Sequence, residues 1–365
     1  MAAGAHTEGV SLASADKHHA VSSESLRNLG LAVLDKIGVP PEEAQVTIDS
    51  LVQADLWGVH SHGMKRLPWY AQRIARGGTN SKPNVRVVHE APATAVIDGD
   101  GGLGQVVSQR AMNLAIEKAK QYGVGSVTVR NSHHFGTCAY WARMALPRGM
   151  IGLATTNGGP VMAPWGGLTP TMSNDPIGVA VPAGDELPIV LDMATTVAAG
   201  GKLDVLASMG EKIPLGWALD ANGNQTDDPV AGRAGLLLPV GEHKGYGLTV
   251  VFEVLAAVLG GANFGRQVPR RPDPAQPMNI GHYFQAINVE AFMPVDEFKK
   301  KIDNLVHQMK SSRLAPGTVK ISLPGEIEIQ TAVRYSGEGI PMPGPAIDDL
   351  RRLARELGIT DNELI

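Results

Sequence analysis

Residues 93–119, "ATAVIDGDGGLGQVVSQRAMNLAIEKA", pose the choice that decides the fold. "ATAVID" reads as a strand, "GDGGLG" (99–104) matches G-x-G-x-x-G, and "QVVSQRAMNLAIEKA" reads as a helix. A strand, a glycine turn and a helix are the setting of a dinucleotide-binding turn, where glycines let the backbone approach a pyrophosphate. That reading also needs an acid at the end of the next strand to hold a ribose. The next strand, "SVTVRN" (126–131), ends instead in Arg130, Asn131 and a histidine pair. Closely spaced glycines are common in plain turns of a chain with 43 of them, so a lone glycine fingerprint weighs little.

Working outward, residues 22–78 read as helical. "SLRNLGLAVLDKIG" places Leu26, Leu29, Val33 and Ile37 on one stripe, "VPPEEA" opens a second helix reaching Trp57, and "MKRLPWYAQRIARGG" ends a third on two glycines. From residue 84 the pattern turns mixed. Strands are expected at "NVRVVHE", "ATAVID", 125–130, 150–156, "IGVAVP", "LPIVLDM" and 284–290. Helices are expected at 105–122, 137–148, 195–209, 244–260 and 294–312. "PAIDDLRRLARELG" is amphipathic, with Ile347, Leu350, Leu353 and Leu357 on one face. The expected fold class is mixed α/β (α+β): a non-Rossmann mixed-sheet lobe plus a helical lobe built from the N- and C-terminal segments. Residues 1–21 read as a loose tail.

Composition narrows the function. A net charge of −4 and a pI near 6.3 give no reason to expect nucleic acid or an anionic membrane as partner. The most apolar run, "GLTVVFEVLAAVLGG" (247–261), is short for a membrane span and carries Glu253. Cys138 is the one cysteine, so no intrachain disulfide forms, and the usage fits a reducing, cytoplasmic setting.

Four polar clusters could carry chemistry. In "GVHSHGMKRLPWY", a helix starting near Ser61 would align Ser61, His62, Arg66 and Tyr70, and Arg66 could fork onto a carboxylate; a solvated face is the plainer reading. In "NSHHFG", a histidine could serve as acid or base, or merely close a loop. A metal held by His60, His62, His133 and His134 matches no familiar ligand spacing, so none is expected. The loops "TTNGGPVMAPWGG" and "SNDPIG" could face phosphates or be plain connections. "LDMATT" precedes "GEHKGYG", where Lys244 opens a helix. A cation there is poorly placed for the helix dipole and hints at an anion, unless it is simply exposed.

In order, "SHG" with Arg66 and Tyr70, "NSHHFG", "NDPIG", "LDMAT", "HKGYGL" and "LPGE" (323–326) closely resemble the type-2 malate/L-lactate dehydrogenase family. That family also holds sulfolactate, ureidoglycolate and diketogulonate dehydrogenases and cyclic imine-2-carboxylate reductases. The resemblance implies an enzyme using NAD or NADP without a Rossmann domain, with a small carboxylate substrate. It also implies a homodimer whose active site lies near the subunit interface.

Residue by residue, it implies His134 as the acid/base group, His133 as a dispensable neighbour, and Arg66, Ser61, His62 and Tyr70 around the substrate. Cofactor contacts are implied at Gly158, Asp192, Met193, Ala194, Lys244, Gly325 and Glu326. Gly158 replaces a serine often found in the family, leaving only a backbone contact there. The expected segments are a helical substrate and dimerisation lobe at 22–90, an NAD(P)-binding catalytic lobe at 91–330, and a returning C-terminal helix at 331–365. The expected reaction is reversible hydride transfer between NAD(P) and a malate- or lactate-like 2-hydroxy acid. A cyclic imine-2-carboxylate reductase is the main rival; a metal-dependent hydrolase and a non-catalytic nucleotide-binding protein are the others. Loop 264–283, rich in Arg and Pro, could close on the substrate.

Overall fold

The computed structural model describes residues 19–359. Strand β1 (His19–Val21) leads into α1 (Ser23–Lys36) and α2 (Pro41–Leu56). The Ser22 hydroxyl accepts the Ser25 N–H and caps α1; Pro41, Glu42 and Glu43 suit the first turn of α2. Two 3-10 turns, His60–His62 and Met64–Arg66, precede α3 (Leu67–Ala75). Gly63 lies extended between them, so no continuous helix begins at Ser61 as its spacing predicted.

The sheet lobe then runs β2 (Arg86–Glu90), β3 (Thr94–Asp98), α4 (Gly104–Tyr122), β4 (Val124–Ser132), α5 (Cys138–Ala142), β5 (Met150–Thr156), β6 (Ile177–Val181) and β7 (Ile189–Met193). A smaller unit follows: α6 (Gly200–Ser208), β8 (Ala218–Leu219), α7 (Pro229–Ala234) and β9 (Leu236–Leu237). Next come α8 (His243–Glu253), prolonged by a π-helical turn at Val254–Val258, then β10 (Ile280–Asn288) and α9 (Val295–Lys310). The chain closes with α10 (Glu326–Glu338), β11 (Ile340–Met342) and α11 (Gly344–Glu356).

Seven strands form one sheet in the order β2–β3–β4–β10–β5–β6–β7. Of its neighbouring pairs only β3 and β4 run parallel; late strand β10 enters antiparallel between β4 and β5. A doubly wound dinucleotide fold needs parallel strands, so this sheet is mixed α/β and not Rossmann. The glycine turn has another task. Gly99 and Gly101 donate N–H bonds to the carbonyls of Arg130 and Asn131, at 2.9 and 2.8 Å. A Cβ on Gly104 would stand 2.3 and 2.4 Å from the carbonyl oxygens of His133 and His134. The glycines therefore let the start of α4 press against the backbone that carries the histidine pair.

The ends of the chain share one core. Leu26, Leu29 and Val33 of α1, Ile48 of α2, and Ile347 and Leu350 of α11 are fully buried together, with Leu353 and Leu357 at the rim. The last three residues assigned to a loose tail, His19–Val21, pair with Ile340–Met342; residues 1–18 lie outside the described region. Four other expectations shift. The helix expected at 137–148 tightens to 3-10 from Arg143, with Pro147 inside it. The helix expected at 195–209 begins only at Gly200. Strand β10 starts at Ile280 rather than 284. The single helix expected over 331–365 divides into the end of α10, β11 and α11.

Candidate active site

A cavity of about 710 Å³ opens where the helical ends meet the sheet, within the range of small-molecule and cofactor sites. Ser61, His62 and Arg66 enter it from the 3-10 turns, and His134 from the segment after β4. Those turns are fixed from beneath by Asp55, a fully buried residue of α2. Its carboxylate accepts the Met64 N–H at 2.7 Å and binds His60 Nδ1 at 2.8 Å. A Cβ on Gly63 would collide with that carboxylate, at 2.1 Å from Oδ1, so glycine is required there. Arg66 turns its Nε to the Ser61 carbonyl at 2.7 Å, which fixes the guanidinium by one edge.

Tyr70 does not line the cavity but stands behind His134, with its hydroxyl 2.6 Å from His134 Nδ1. The Gln105 amide donates to the same hydroxyl at 2.9 Å. With Gln105 donating, the satisfied network sends the Tyr70 proton to His134 Nδ1 and leaves the His134 proton on Nε2. Burial pushes Tyr70 up to about 12, so it remains a phenol. Burial, then the charges of Arg66, His62 and His282, hold His134 well below the usual histidine range. Burial with Arg66 and Lys65 brings His62 down to about 4. The two rings stack at 5.4 Å, both neutral at pH 7.

His133 is closed off from solvent and lies against the neighbouring turns at Gly78 and Gly101. It is 3% exposed, neither ring nitrogen makes a well-formed hydrogen bond, and burial beside Arg73 lowers it to about 3. His60 points to Asp55 and stacks on Tyr335. Of the four histidines considered as metal ligands only His62 and His134 come together, and among the described residues no group of three His, Cys, Asp or Glu could hold an ion.

The opposite walls come from the sheet lobe. Gly158, Asp192, Met193, Ala194 and Gly325 all line the cavity. Where Gly158 lacks a side chain, the Ser173 hydroxyl stands 2.9 Å from where a Cβ would lie, and Ser173 itself lines the cavity. Asp192 Oδ2 accepts the Ala139 N–H at the start of α5, at 2.8 Å. Its carboxyl is exposed to the open cavity but crowded by the surrounding walls, which push it up to about 7, against the Ala139 bond and with Glu328 adding repulsion.

Two expected contacts do not reach this space. Lys244 is exposed at the start of α8 and is not on the cavity wall. Glu326 is buried and paired with Lys310 at 2.6 Å, which anchors α10 rather than facing the cavity. Nor does loop 264–283 line it; that loop packs on Gly78 and Gly159, and Arg73 holds its Asp273 and Gln276 carbonyls. Sequence reasoning does not find Asp55, Gln105 or Arg143: the first two carry no periodic signal and Arg143 reads as part of an ordinary helix, whereas Asn157 lies in the loop read as able to face phosphates.

A neutral histidine on a tyrosine and an arginine sharing its cavity suit an enzyme that moves a proton beside a carboxylate, as a dehydrogenase-type oxidoreductase does. The chain belongs to the malate/L-lactate dehydrogenase family, whose model matches residues 21–351. It is 41% identical to the malate dehydrogenase of Pyrococcus horikoshii, over 93% of this chain and 96% of that one. It is 42% identical to the L-sulfolactate dehydrogenase of Methanocaldococcus jannaschii, over 94% of this chain and 98% of that one. The solved sulfolactate dehydrogenase structure from that organism superposes with a TM-score of 0.89 at 41% identity, covering 95% of this chain and 99% of that one. The ureidoglycolate dehydrogenase (NAD(+)) of Escherichia coli O157:H7 is 35% identical, over 90% and 93%. The solved delta1-piperideine-2-carboxylate reductase of Pseudomonas syringae is further off, at 29% identity and a TM-score of 0.82 over 92% and 100%. The chain is therefore an oxidoreductase of the 2-hydroxy acid dehydrogenase class.

Proposed function

We propose that the chain interconverts a malate- or lactate-like 2-hydroxy acid and its 2-oxo acid with NAD or NADP. The observation that carries this is the Gln105–Tyr70–His134 chain ending in the same cavity as Arg66. Arg66, held at Nε, has its remaining N–H groups free to fork onto the substrate carboxylate. For oxidation, His134 must present a bare Nε2; with the Gln105 amide turned over, Tyr70 donates to Gln105 Oε1 and accepts from His134 Nδ1–H, which leaves Nε2 bare. His134 then accepts the hydroxyl proton. For reduction it must carry two protons. A carboxylate on Arg66 removes one of the charges that hold its pKa down, so substrate binding favours the protonated form.

The lining fits a dinucleotide: Asp192 can accept ribose hydroxyls, and the Gly158–Gly159 backbone comes close enough for phosphates. The cofactor, when bound, accepts or gives the hydride. In this reading residues 22–90 supply the substrate wall and residues 91–330 the cofactor wall.

A homodimer belongs to the proposal, with a change of surface. The terminal helices bury their apolar faces against each other, whereas α8 and its π turn expose Leu248, Val251, Val254 and Val258. Light scattering at low micromolar concentration tests it; a monomer mass refutes it. No helix among the described residues is long and apolar enough to cross a membrane, and the single buried Cys138 supports a cytoplasmic setting. Absorbance at 340 nm across a panel of 2-oxo acids and cyclic imine-2-carboxylates, with both cofactors, tests the reaction. Turnover of imines alone would replace this reading by the reductase one, and no turnover of either class would refute both.

A further inference from the structure

Three guanidinium groups line the cavity, and two of them are tied to the protein. Arg66 is bound to the Ser61 carbonyl, and Arg233 donates its Nε to Asp204 at 3.0 Å. Arg143 differs. It opens the 3-10 turn after α5 and stands over the ring of Trp57, with its Cζ 4.9 Å from the ring centre. Among the described residues its guanidinium has no hydrogen-bond acceptor and no acid. The acids that line the cavity, Asp192 and Glu328, form no ion pair with it.

A half-buried cation without a counter-charge is costly, and burial lowers the pKa of Arg143 with nothing to offset it. The ring of Trp57 takes one face of the guanidinium, leaving the edge N–H groups to donate in plane. Trp57 packs on Val190, whose N–H is bound to the Pro324 carbonyl, so Arg143 borders the wall that ends in Gly325.

We infer that Arg143 is a cofactor-binding residue that forks onto a phosphate of the dinucleotide, with Trp57 holding its plane. This rests on the dinucleotide reading given above. The phosphate is either in the pyrophosphate bridge or on the 2′-hydroxyl of NADP; the chemistry is the same and the assay separates them.

The test measures dissociation constants for NADH and NADPH, by cofactor fluorescence and by calorimetry, in the wild-type protein and in Arg143→Gln. A charge-assisted pair is worth about 1.5–3 kcal/mol, so the loss should be about ten- to a hundredfold. Loss for both cofactors supports the inference and places the contact at the pyrophosphate; loss for NADPH alone supports it at the 2′-phosphate. Unchanged affinity for both overturns it, as does a change confined to the KM of the 2-oxo acid. If wild-type protein binds neither cofactor, the dinucleotide reading falls, and this inference with it. If Arg143→Gln does not fold, Arg143→Lys takes its place: charge without the fork should still bind severalfold more weakly, and wild-type affinity overturns the inference.

Discussion

His133 and His134 are adjacent, yet substituting each should damage a different property. His134→Asn removes the group that takes and gives the substrate proton. A positioned acid/base contributes roughly 10²–10⁴ in rate, or about 2.7–5.4 kcal/mol of barrier, so kcat should fall by that factor while NADH still binds. In the wild-type protein, oxidation needs neutral His134. Because its pKa is held well below the usual range, kcat/KM should be flat from pH 8 to 6 and fall only as pH drops through the lowered value. His133→Asn should leave kcat within about threefold, since the ring is buried away from the cavity. Its effect is on stability. Shrinking a buried ring costs about 1–3 kcal/mol at pH 7.5.

That cost should shrink in acid. In the native wild-type protein His133 titrates at about 3, against about 6.5 unfolded. The unfolded chain therefore binds the extra proton, and wild-type stability from this group is lost as pH falls below about 6.5. The loss is about 1.4 kcal/mol per pH unit, so by pH 5 the gap to His133→Asn should close by about 2 kcal/mol. Urea unfolding followed by tryptophan fluorescence at pH 7.5, 6 and 5, beside kinetics at 340 nm, measures both effects. A dead His133→Asn beside an active His134→Asn refutes the assignment, and a stability gap that does not change with pH refutes the burial account.

Arg66→Lys keeps the charge but not the fork, and should raise the KM of the 2-oxo acid tenfold or more with NADH affinity unchanged; unaltered kinetics would remove Arg66 from the site. Tyr70→Phe strands Gln105 and His134 Nδ1, and should lower kcat by about five- to a hundredfold, for about 1–3 kcal/mol of lost bonding, with the His134 tautomer then unassigned by NMR. Asp192 is charged only above about 7, so NADH affinity should weaken severalfold from pH 8 to 6 in the wild type and stay level in Asp192→Asn. A pH-dependent Asp192→Asn would place that titration elsewhere.

The legible parts of the sequence are those with a local cause. The stripe through Leu26, Leu29 and Val33, the prolines and acids before α2, and the apolar runs of β5, β6 and β7 each declare an element without reference to the rest of the chain. Ser61, His62 and Arg66 of the 3-10 turns stand out by type and order and line the cavity, although the helix expected to align them does not exist. What was illegible depends on distance along the chain. Gln105 meets Tyr70 across 35 residues, and Asp55 lies beneath a turn whose Gly63 makes room for its carboxylate. Lys244 and Glu326 lie off this cavity for the same reason: a motif fixes residue type, but only packing decides which wall a side chain faces.

The glycine turn joins these points into one expected outcome. It resembles a pyrophosphate cradle because both uses need the same property, a backbone without Cβ atoms that another chain can approach. In this fold the approaching chain is the protein's own, and what it carries is His134. Gly104→Ala tests this directly. The added methyl would meet two carbonyl oxygens that no rotamer change can move, at 2.3 and 2.4 Å, so the histidine segment must shift or α4 must retreat. Overpacking of this kind costs about 1–3 kcal/mol, and a shift of the segment loosens the 2.6 Å bond from Tyr70. The variant should therefore lose both thermal stability and kcat while retaining NADH affinity. Were the turn a pyrophosphate cradle after all, Gly104→Ala would instead weaken NADH binding first and leave stability alone, and that result would reverse the reading of the sheet's loops.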